Sequence, residues 1–419
     1  MRWRLDSALS QIAFAGICAG LAACYVAVST TSFLAWSAGR AIEPAHLRRA
    51  ARLEPWDAER QYQLGRYAFF VSADMPVAIQ SFRSALSLNP YAASTWLDLS
   101  AAYLAIGDLA QQGQALEQAL KAEPTDPEVE WEAGNLYIVR GDTDRALRLF
   151  QHLIAADSSH AAAALDLAWR STRNVEKVLR LAVPPTAAAR LEFLSLLCER
   201  KDSAAADQVW PAVLEMKPRL PASRFFFYID DLLKRRQVKQ AGAVWSALAD
   251  IDSSIVPADG DNLIVNSSFD QEILNGGLGW RYEPRGGVAL SLDTAHFHAG
   301  SRSLLMNFDG AGISDAGLWQ FIPVEPNCRY RFSGFMQGEE VETASGPRFE
   351  FADAYTRASL ARSDDVLGST PWREVTAEFA TGPNTDLLEV SVGRWPASGR
   401  IRGKVWIDDL KLTRSEGHK

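Results

Sequence analysis

The chain has 419 residues, of which 47% are hydrophobic and 22% are charged, and its formal net charge is -8 at pH 7. This length suggests two or three globular domains. An acidic chain of this kind lacks the basic patch or stripe that nucleic-acid binding needs, so we expect no nucleic-acid partner. The 4 cysteines are too scattered in the sequence to indicate a disulfide framework or a zinc site.

An uncharged segment covers residues 7–39 near the N-terminus. Its stretch IAFAGICAGLAACYVAV is long and apolar enough to cross about 30 Å of hydrocarbon as a helix, so residues 1–40 are predicted to be a membrane anchor. Two processed forms stay open: a cleaved signal peptide, and a lipoprotein lipidated at Cys24 of the motif LAAC. Arginines flank the segment on both sides, so the positive-inside rule does not decide its orientation. Gly16 and Gly20 form a GxxxG motif, which allows a homodimer through this helix.

Residues 41–256 are rich in Ala and Leu and are predicted to be helical throughout. Between about residues 55 and 160 a period of 34 residues is visible, since Tyr103 recurs as Tyr137 and Gly107 as Gly141. The order of large, small and Tyr residues in one helix, then Ala and Phe in the next, resembles the tetratricopeptide repeat. This resemblance implies an α-solenoid of about five or six helical hairpins, the last of them degenerate.

The inner helices of tetratricopeptide repeats line a concave groove, so the resemblance implies a groove that holds a protein partner. On the two clearest repeats it assigns groove-facing positions to Leu97, Ala101, Leu104, Trp131, Asn135 and Ile138. Two interpretations of Trp131 stay open. Its ring contacts an extended peptide, or it packs against a neighbouring repeat.

The composition changes at residues 257–261, a turn-rich linker, and helical periodicity disappears after it. Short alternating stretches between residues 262 and 414 predict an antiparallel all-β sandwich or jelly roll. The segments NLIVNSSFD, HAGSRSLLMNF, GLWQFIPVEPNCRYRFSGFM, PWREVTAEF and VWIDDLKL occur in this order. They resemble the landmarks of carbohydrate-binding modules of the family 4/9 and 22 type, which have a galactose-binding-like jelly-roll fold. Residues 415–419 are predicted to be a C-terminal tail.

This second resemblance implies a glycan site in which flat aromatic rings stack on sugar rings and polar side chains bind hydroxyl groups. The candidates are Trp319, Arg348, Glu350, Asp353, Tyr355 and Trp395. The resemblance also implies a structural calcium ion, a hard cation that prefers oxygen ligands. Its ligands would be Asp409 together with Asp270 or a backbone carbonyl near Asn266.

The last predicted strand, KVWIDDLKL, carries two adjacent aspartates although it otherwise looks buried on both faces. Strand alternation places Asp409 on the same face as Ile407, and Asp408 on the opposite face with Trp406. An unpaired buried carboxylate costs several kcal/mol, so each aspartate needs a partner. Calcium is one candidate partner for Asp409. Without metal, this carboxylate would accept backbone N–H groups or pair with an arginine.

The sequence contains no phosphate-binding glycine loop, HExxH, GxSxG or dinucleotide motif, so we expect no enzyme. The two resemblances together imply a non-catalytic adaptor of the bacterial envelope that takes part in surface polysaccharide assembly or export. It would be anchored once in the inner membrane, with its solenoid and jelly roll in the periplasm. A structural scaffold without sugar binding and a polysaccharide hydrolase with two separately placed carboxylates are the alternatives.

Overall fold

The computed structural model describes residues 8–39, 44–217, 219–258, 260–395 and 399–415. The arginines at positions 2, 4 and 40, which enter the orientation argument, and residues 416–419 of the predicted tail lie outside these ranges. The chain forms two compact units, residues 1–196 and residues 197–419. The predicted linker at 257–261 therefore lies within the second unit, and the last helices before it belong with the strands that follow.

The first unit is helical, as the sequence predicts. Its elements are α1 (Ala8–Gly39), α2 (Pro44–Leu53), α3 (Ala58–Phe70), α4 (Met75–Leu88), α5 (Ala93–Ala105), α6 (Leu109–Ala122), α7 (Pro127–Arg140), α8 (Thr143–Ala156), α9 (Ala161–Thr172), α10 (Val175–Leu181) and α11 (Ala187–Glu199), which continues into the second unit. From α3 to α10 consecutive helices pair as hairpins. This succession confirms the solenoid-like helical part.

The 34-residue period has a packing cause. Tyr137 is 2% exposed, and Tyr103, one period earlier, is also buried. At Gly134 a Cβ atom would clash with the ring of Phe150, which is itself fully buried. The repeat therefore keeps a small residue where the second helix of a hairpin presses an aromatic ring against the first helix.

The second unit begins with helices and continues with strands. Its helices are α12 (Ser203–Leu214), α13 (Phe226–Lys234) and α14 (Val238–Ala249). The hairpin of α13 and α14 packs on the start of the β-region, because Cβ atoms at Gly276 and Gly277 would clash with the rings of Phe226 and Trp245. Gly277 also has a φ of +58°, a conformation that favours glycine. This tight contact explains why the compact unit starts before the predicted linker.

Ten strands in the described part of the second unit form two five-stranded antiparallel sheets. The strands are β1 (Arg281–Tyr282), β2 (Val288–Asp293), β3 (Ser303–Gly312), β4 (Asp315–Pro323), β5 (Arg329–Glu342), β6 (Pro347–Asp353), β7 (Ser359–Arg362), β8 (Gly368–Ala380), β9 (Leu387–Arg394) and β10 (Arg400–Ser415). One sheet has the order β1-β4-β9-β6-β7 and the other β2-β3-β10-β5-β8. Buried rings such as Phe332, Phe349 and Phe351 fill the space between them. This β-sandwich confirms the predicted fold class.

Candidate functional site

A row of outward-facing side chains crosses the sheet β1-β4-β9-β6-β7. The strand register pairs neighbouring members of the row directly. In the three central strands, the residues before and after each member are buried, so the members themselves lie on the outer face of the sheet. In strand order the row consists of Arg281, Trp319, Ser391, Glu350 and Arg362.

Trp395 lies beside one end of this row and is 56% exposed. The guanidinium carbon of Arg362 lies 4.6 Å from the centre of the Trp395 ring, and its Nε is 3.4 Å from Glu350 Oε1. Gly393 leaves room there, since a Cβ atom at this position would lie 2.8 Å from the Glu350 carboxyl carbon. An exposed ring next to paired donor and acceptor groups is an arrangement that can stack on a sugar ring and bind its hydroxyl groups.

The structure brings together four of the six predicted glycan residues. Trp319 and Glu350 belong to the outward-facing row, and Trp395 lies beside it. Arg348, two residues before Glu350 on β6, is half-buried on the same face. Its guanidinium pairs with the Asp365 carboxylate at 2.9 Å.

The other two predicted glycan residues have structural partners, which corrects their assignment. Asp353 is 4% exposed, and its carboxylate accepts hydrogen bonds from the backbone N–H groups of Tyr355 and Thr356 at 3.0 and 2.7 Å. The Tyr355 hydroxyl donates to the Leu233 carbonyl of α13 at 2.7 Å, and the Arg236 guanidinium lies 4.3 Å from its ring centre. Burial raises the pKa of Tyr355 to about 12. Both residues therefore stabilise the loop after β6 and its contact with the helices.

The hairpin of α13 and α14 covers another part of the same sheet face. Asp230 on α13 accepts a hydrogen bond from Arg281 at 2.5 Å, and the Arg281 guanidinium lies over the ring of Phe321. Phe321 pairs in register with Glu389, whose carboxylate pairs with Arg357. Burial raises the pKa of Glu389 although its side chain faces outward. The open surface therefore lies around Trp319 and Glu350 and towards Trp395.

Sequence reasoning missed three members of the row, namely Arg281, Ser391 and Arg362. Ser391 could have been found from alternation in the segment LLEVSVGRW, where Glu389, Ser391 and Gly393 share one face. The other two lie on short edge strands, β1 and β7. Strands of this length carry too little alternation for their outward residues to be recognised from the sequence.

The predicted groove residues lie on α5 and α7. Leu97 is 3% exposed and belongs to the core, so its assignment to the groove is corrected. Trp131 is half-buried, with its ring centre 5.7 Å from that of Phe150 and 6.2 Å from that of His160, which favours packing within the repeats. Asn135 donates its amide to the Trp131 carbonyl at 2.8 Å. The remaining residues of the prediction are half-buried, and they are Ala101, Leu104 and Ile138.

Two carboxylates occupy equivalent positions on these same helices. Asp98 on α5 and Glu132 on α7 are one 34-residue period apart. Burial raises the pKa of Asp98, and this effect outweighs its hydrogen bond with Tyr62 and the nearby charge of Arg66. Burial and the charge of Asp98 raise the pKa of Glu132. The Arg66 guanidinium pairs with the Asp98 carboxylate at 3.6 Å and lowers the pKa of both carboxylates in part.

The two aspartates of the last strand have different environments. Asp408 is fully buried, and its carboxylate accepts N–H groups from His298 at 2.7 Å, Ala299 at 2.9 Å and Asp409 at 2.7 Å. Burial raises the pKa of Asp408, and this effect outweighs the three N–H donors, which lower it. Asp409 lies in an irregularity of β10 with φ at +49°, and its carboxylate is 3.4 Å from the His298 ring. The residue that accepts backbone N–H groups is thus Asp408, whereas the sequence argument offered such groups as one of the alternative partners of Asp409.

The predicted calcium ligand Asp270 has protein partners in the structure. The Asp270 carboxylate accepts the N–H and the hydroxyl of Ser301 at 2.8 and 2.7 Å, and the Asp270 carbonyl accepts the Arg302 guanidinium. Within the described ranges, no group of three or more His, Cys, Asp or Glu is placed to hold a metal ion. A calcium ion at the Asp270 carbonyl would compete with the Arg302 guanidinium for that oxygen. Calcium stays a prediction from the sequence.

No protein-family model matches this chain, and no curated protein matches it. Among solved structures, the CBM22-1 xylan-binding domain of Paenibacillus barcinonensis Xyn10C is 17% identical, with 38% of this chain and 99% of that chain covered and a TM-score of 0.27. A CBM4 structure is 12% identical over 36% of this chain and 98% of that chain, with a TM-score of 0.28. YrrB, a TPR protein with an unusual peptide-binding site, is 16% identical over 51% of this chain and 94% of that chain, with a TM-score of 0.26. Likenesses of this size carry no argument about function, and the fold stands on the helices and strands described above.

Proposed function

We propose that the protein is a non-catalytic, membrane-anchored adaptor of the bacterial envelope. Its β-sandwich binds a glycan on the outer face of the sheet β1-β4-β9-β6-β7, and its helical hairpins bind a protein partner. Assembly or export of a surface polysaccharide is the setting that suits this pair of activities. The observation that carries the proposal is the row from Arg281 to Arg362 with the exposed Trp395 beside it.

Glycan binding is tested with the full chain on an array of neutral and acidic oligosaccharides. Loss of a stacked ring removes about 1.5 kcal/mol, so Trp319→Ala or Trp395→Ala should weaken binding about tenfold. Trp372→Ala is the matched control, because this half-buried tryptophan lies on β8 of the opposite sheet. Binding that none of the three changes affects would contradict the assigned face.

Glycan binding alone does not distinguish a binding protein from a hydrolase, because both can bind a sugar on the same surface. The proposed absence of catalysis is therefore tested separately. Each oligosaccharide bound on the array is incubated with the full chain, and new reducing ends are measured. We expect none. Turnover that Glu350→Gln abolishes would instead establish a hydrolase at this face.

The partner of the helical part is proposed to be a basic, extended segment of another protein. Asp98 and Glu132 support this chemistry, since the two carboxylates lie one 34-residue period apart on the helices that carry the predicted groove. A photo-crosslinking residue at Asn135 on α7 should capture the partner in cells, whereas one at Gln118 on α6 should not. Asp98→Asn with Glu132→Gln should reduce that capture. A crosslinked product that survives both changes would contradict a basic partner.

The anchor is proposed to be α1. Within the described residues one helix, Gln11–Ala38, is long and apolar enough to cross a membrane by its length and composition, a test that a signal sequence also passes. The helical and β-sandwich units are proposed to be periplasmic, where a glycan would be met. A reporter fused at Lys419 that is active only in the cytoplasm would overturn this orientation. Pairing through Gly16 and Gly20 stays a prediction, and both glycines have open space around them.

A scaffold without sugar binding is the second candidate, and one observation favours it. The Tyr355 hydroxyl binds the Leu233 carbonyl of α13, and Arg281, which lies over the Phe321 ring, pairs with Asp230 of α13. Part of the sheet face therefore already packs on helices of the same chain. Under this alternative, the remaining open face would bind another protein. The array experiment separates the two candidates, since a scaffold binds no oligosaccharide.

A further inference from the structure

The apolar helix α1 is longer than a bilayer requires. Its candidate span Gln11–Ala38 has 28 residues, which corresponds to about 42 Å at 1.5 Å per residue. The hydrocarbon core is about 30 Å thick, so about eight residues extend beyond it in an untilted helix. Among residues 11–38 of α1, whose burial the structure describes, only residues 31–38 include buried or half-buried side chains, with Ala35 and Ala38 buried, and α2 packs on α1. If α1 spans a bilayer, its C-terminal turns, where α2 packs, are the part that would project from the hydrocarbon.

Helix α2 is amphipathic and is held at this projecting end. Its buried side consists of Leu47, Ala50 and Ala51, which are 7%, 1% and 5% exposed. Its exposed side carries Arg48, Arg49 and Arg52. The three arginines therefore lie on the exposed side of α2, opposite the side that is buried.

The three arginines have no acidic partner within the described part of the chain. The two acids that follow α2, Glu54 and Asp57, both pair with Arg60, at 3.3 and 3.7 Å. None of the three arginines forms an ion pair with a described residue. Among the residues that the structure describes, none compensates the positive charge of α2 by an ion pair.

A second observation points to the membrane interface. Trp56 follows α2 directly and is 59% exposed, although a tryptophan of a soluble domain usually finds a buried site. Tryptophan is enriched at the level of lipid headgroups, and helices with arginines on one side and tryptophan nearby lie in that layer. At the projecting end of α1, Trp36 is 49% exposed and its ring lies 6.1 Å from that of Phe33.

We propose that α2 and Trp56 form a headgroup-binding platform that selects anionic phospholipids. Arg48, Arg49 and Arg52 bind the phosphate groups, and the Trp56 ring lies between headgroups. The proposal rests on the membrane anchor proposed above. Inorganic phosphate shares this chemistry, but the packing of α2 against the end of the span places the arginines at the lipid headgroups.

The test uses the full chain in a neutral detergent, titrated with phosphatidylglycerol or with phosphatidylcholine of the same acyl chains, and bound lipid is counted by native mass spectrometry. We expect a preference for phosphatidylglycerol of about tenfold or more, since each basic residue near the surface contributes to the attraction. The triple change R48Q, R49Q and R52Q should abolish this preference. The triple change to lysine should keep most of it, because charge is retained.

A matched control separates local binding from total charge. R83Q, R148Q and R180Q remove the same charge from exposed arginines on α4, α8 and α10, and we expect them to leave the preference unchanged. Millimolar inorganic phosphate should not displace the lipid. Equal loss in both triple variants, an unchanged preference in R48Q, R49Q and R52Q, or full displacement by phosphate would each overturn the proposal.

Failure of the anchor itself gives a different result. The full chain is expressed in cells, and its location and N-terminus are determined after fractionation. If the cells cleave off the N-terminal segment and the remaining chain is in the soluble fraction, the proposed anchor and this platform fail together. If the chain stays in the membrane fraction but shows no lipid preference, only the platform fails.

Discussion

Replacing Asp408 by Asn should destabilise the second compact unit, whereas the same change at Asp409 should not. The Asp408 carboxylate accepts three N–H groups with two oxygens, one oxygen serving His298 and Ala299 and the other serving Asp409. An Asn side chain has only one oxygen, so its NH₂ group must face at least one N–H donor. An unsatisfied buried donor costs about 1 to 3 kcal/mol, and we expect a loss of this size in the free energy of unfolding.

The pH dependence of this loss follows from the sign of the pKa shift. Because the folded-state pKa of Asp408 is raised, its contribution to stability is fully present below the unfolded value of about 3.9 and is lost as pH rises through the folded value. Asn does not titrate. The deficit of Asp408→Asn should therefore be largest at acidic pH and should shrink towards neutral pH.

The assay is urea denaturation of the full chain followed by near-UV circular dichroism, at several pH values. Asp409→Asn is the matched control, since its side chain is 45% exposed and asparagine tolerates a φ of +49°. It should stay within about 0.5 kcal/mol of the wild type. If Asp409→Asn destabilises the chain and Asp408→Asn does not, the assignment of the buried carboxylate is wrong.

Three further predictions concern other parts of the chain. Tyr137→Ala empties a buried site of the repeats and should cost about 3 to 5 kcal/mol, and an unchanged melting temperature would mean that the repeat register is wrong. Calcium at Asp270 and Asp409 predicts that the full chain melts at a lower temperature with a chelator than with Ca²⁺, and identical melting would contradict it. The N–H groups of Ala222 and Ser254 lower the pKa of Asp252. The contribution of this carboxylate to the free energy of unfolding is therefore fully present above the unfolded-state pKa of about 3.9 and is lost as pH falls through the folded-state pKa. Asp252→Asn should accordingly flatten the acid side of the stability curve, as measured by urea denaturation.

The fold class could be predicted because its signals are local and repeated. Tyr103 and Tyr137 occupy equivalent buried sites, and a period visible in the sequence requires only that each hairpin pack on the next. The strands of the sandwich show alternation over lengths that are sufficient to recognise them, as in β6 with its buried Phe349 and Phe351. Trp319 and Glu350, which the family resemblance offered as candidates, lie on one outward face of the sheet.

The errors arose where a residue's partner is distant in sequence or where the strand is irregular. Tyr355 looks like an exposed ring in the sequence, but its hydroxyl binds Leu233, which lies 122 residues earlier. Strict alternation places Asp408 and Asp409 on opposite apolar faces and does not choose between them. In the structure, the irregularity in β10 gives Asp409 a φ of +49° and leaves it half-buried, whereas Asp408 is fully buried. Leu97 was assigned from the position it holds in the repeat family, and that position does not report how closely the neighbouring repeat packs here.

The start of the second compact unit at residue 197 determines which fragment can be used to test the proposed glycan site. A fragment starting at residue 262, as the sequence boundary suggests, would lose the rings of Phe226 and Trp245 that cover Gly276 and Gly277. It would also leave Arg281, a member of the outward-facing row, without the Asp230 carboxylate. Since Arg281 lies directly beside Trp319 in the register, removing α13 and α14 would alter the face at the point where sugar binding is proposed. The helices before residue 257 are therefore part of the frame that positions the site, and binding measurements need the whole unit from residue 197 onwards.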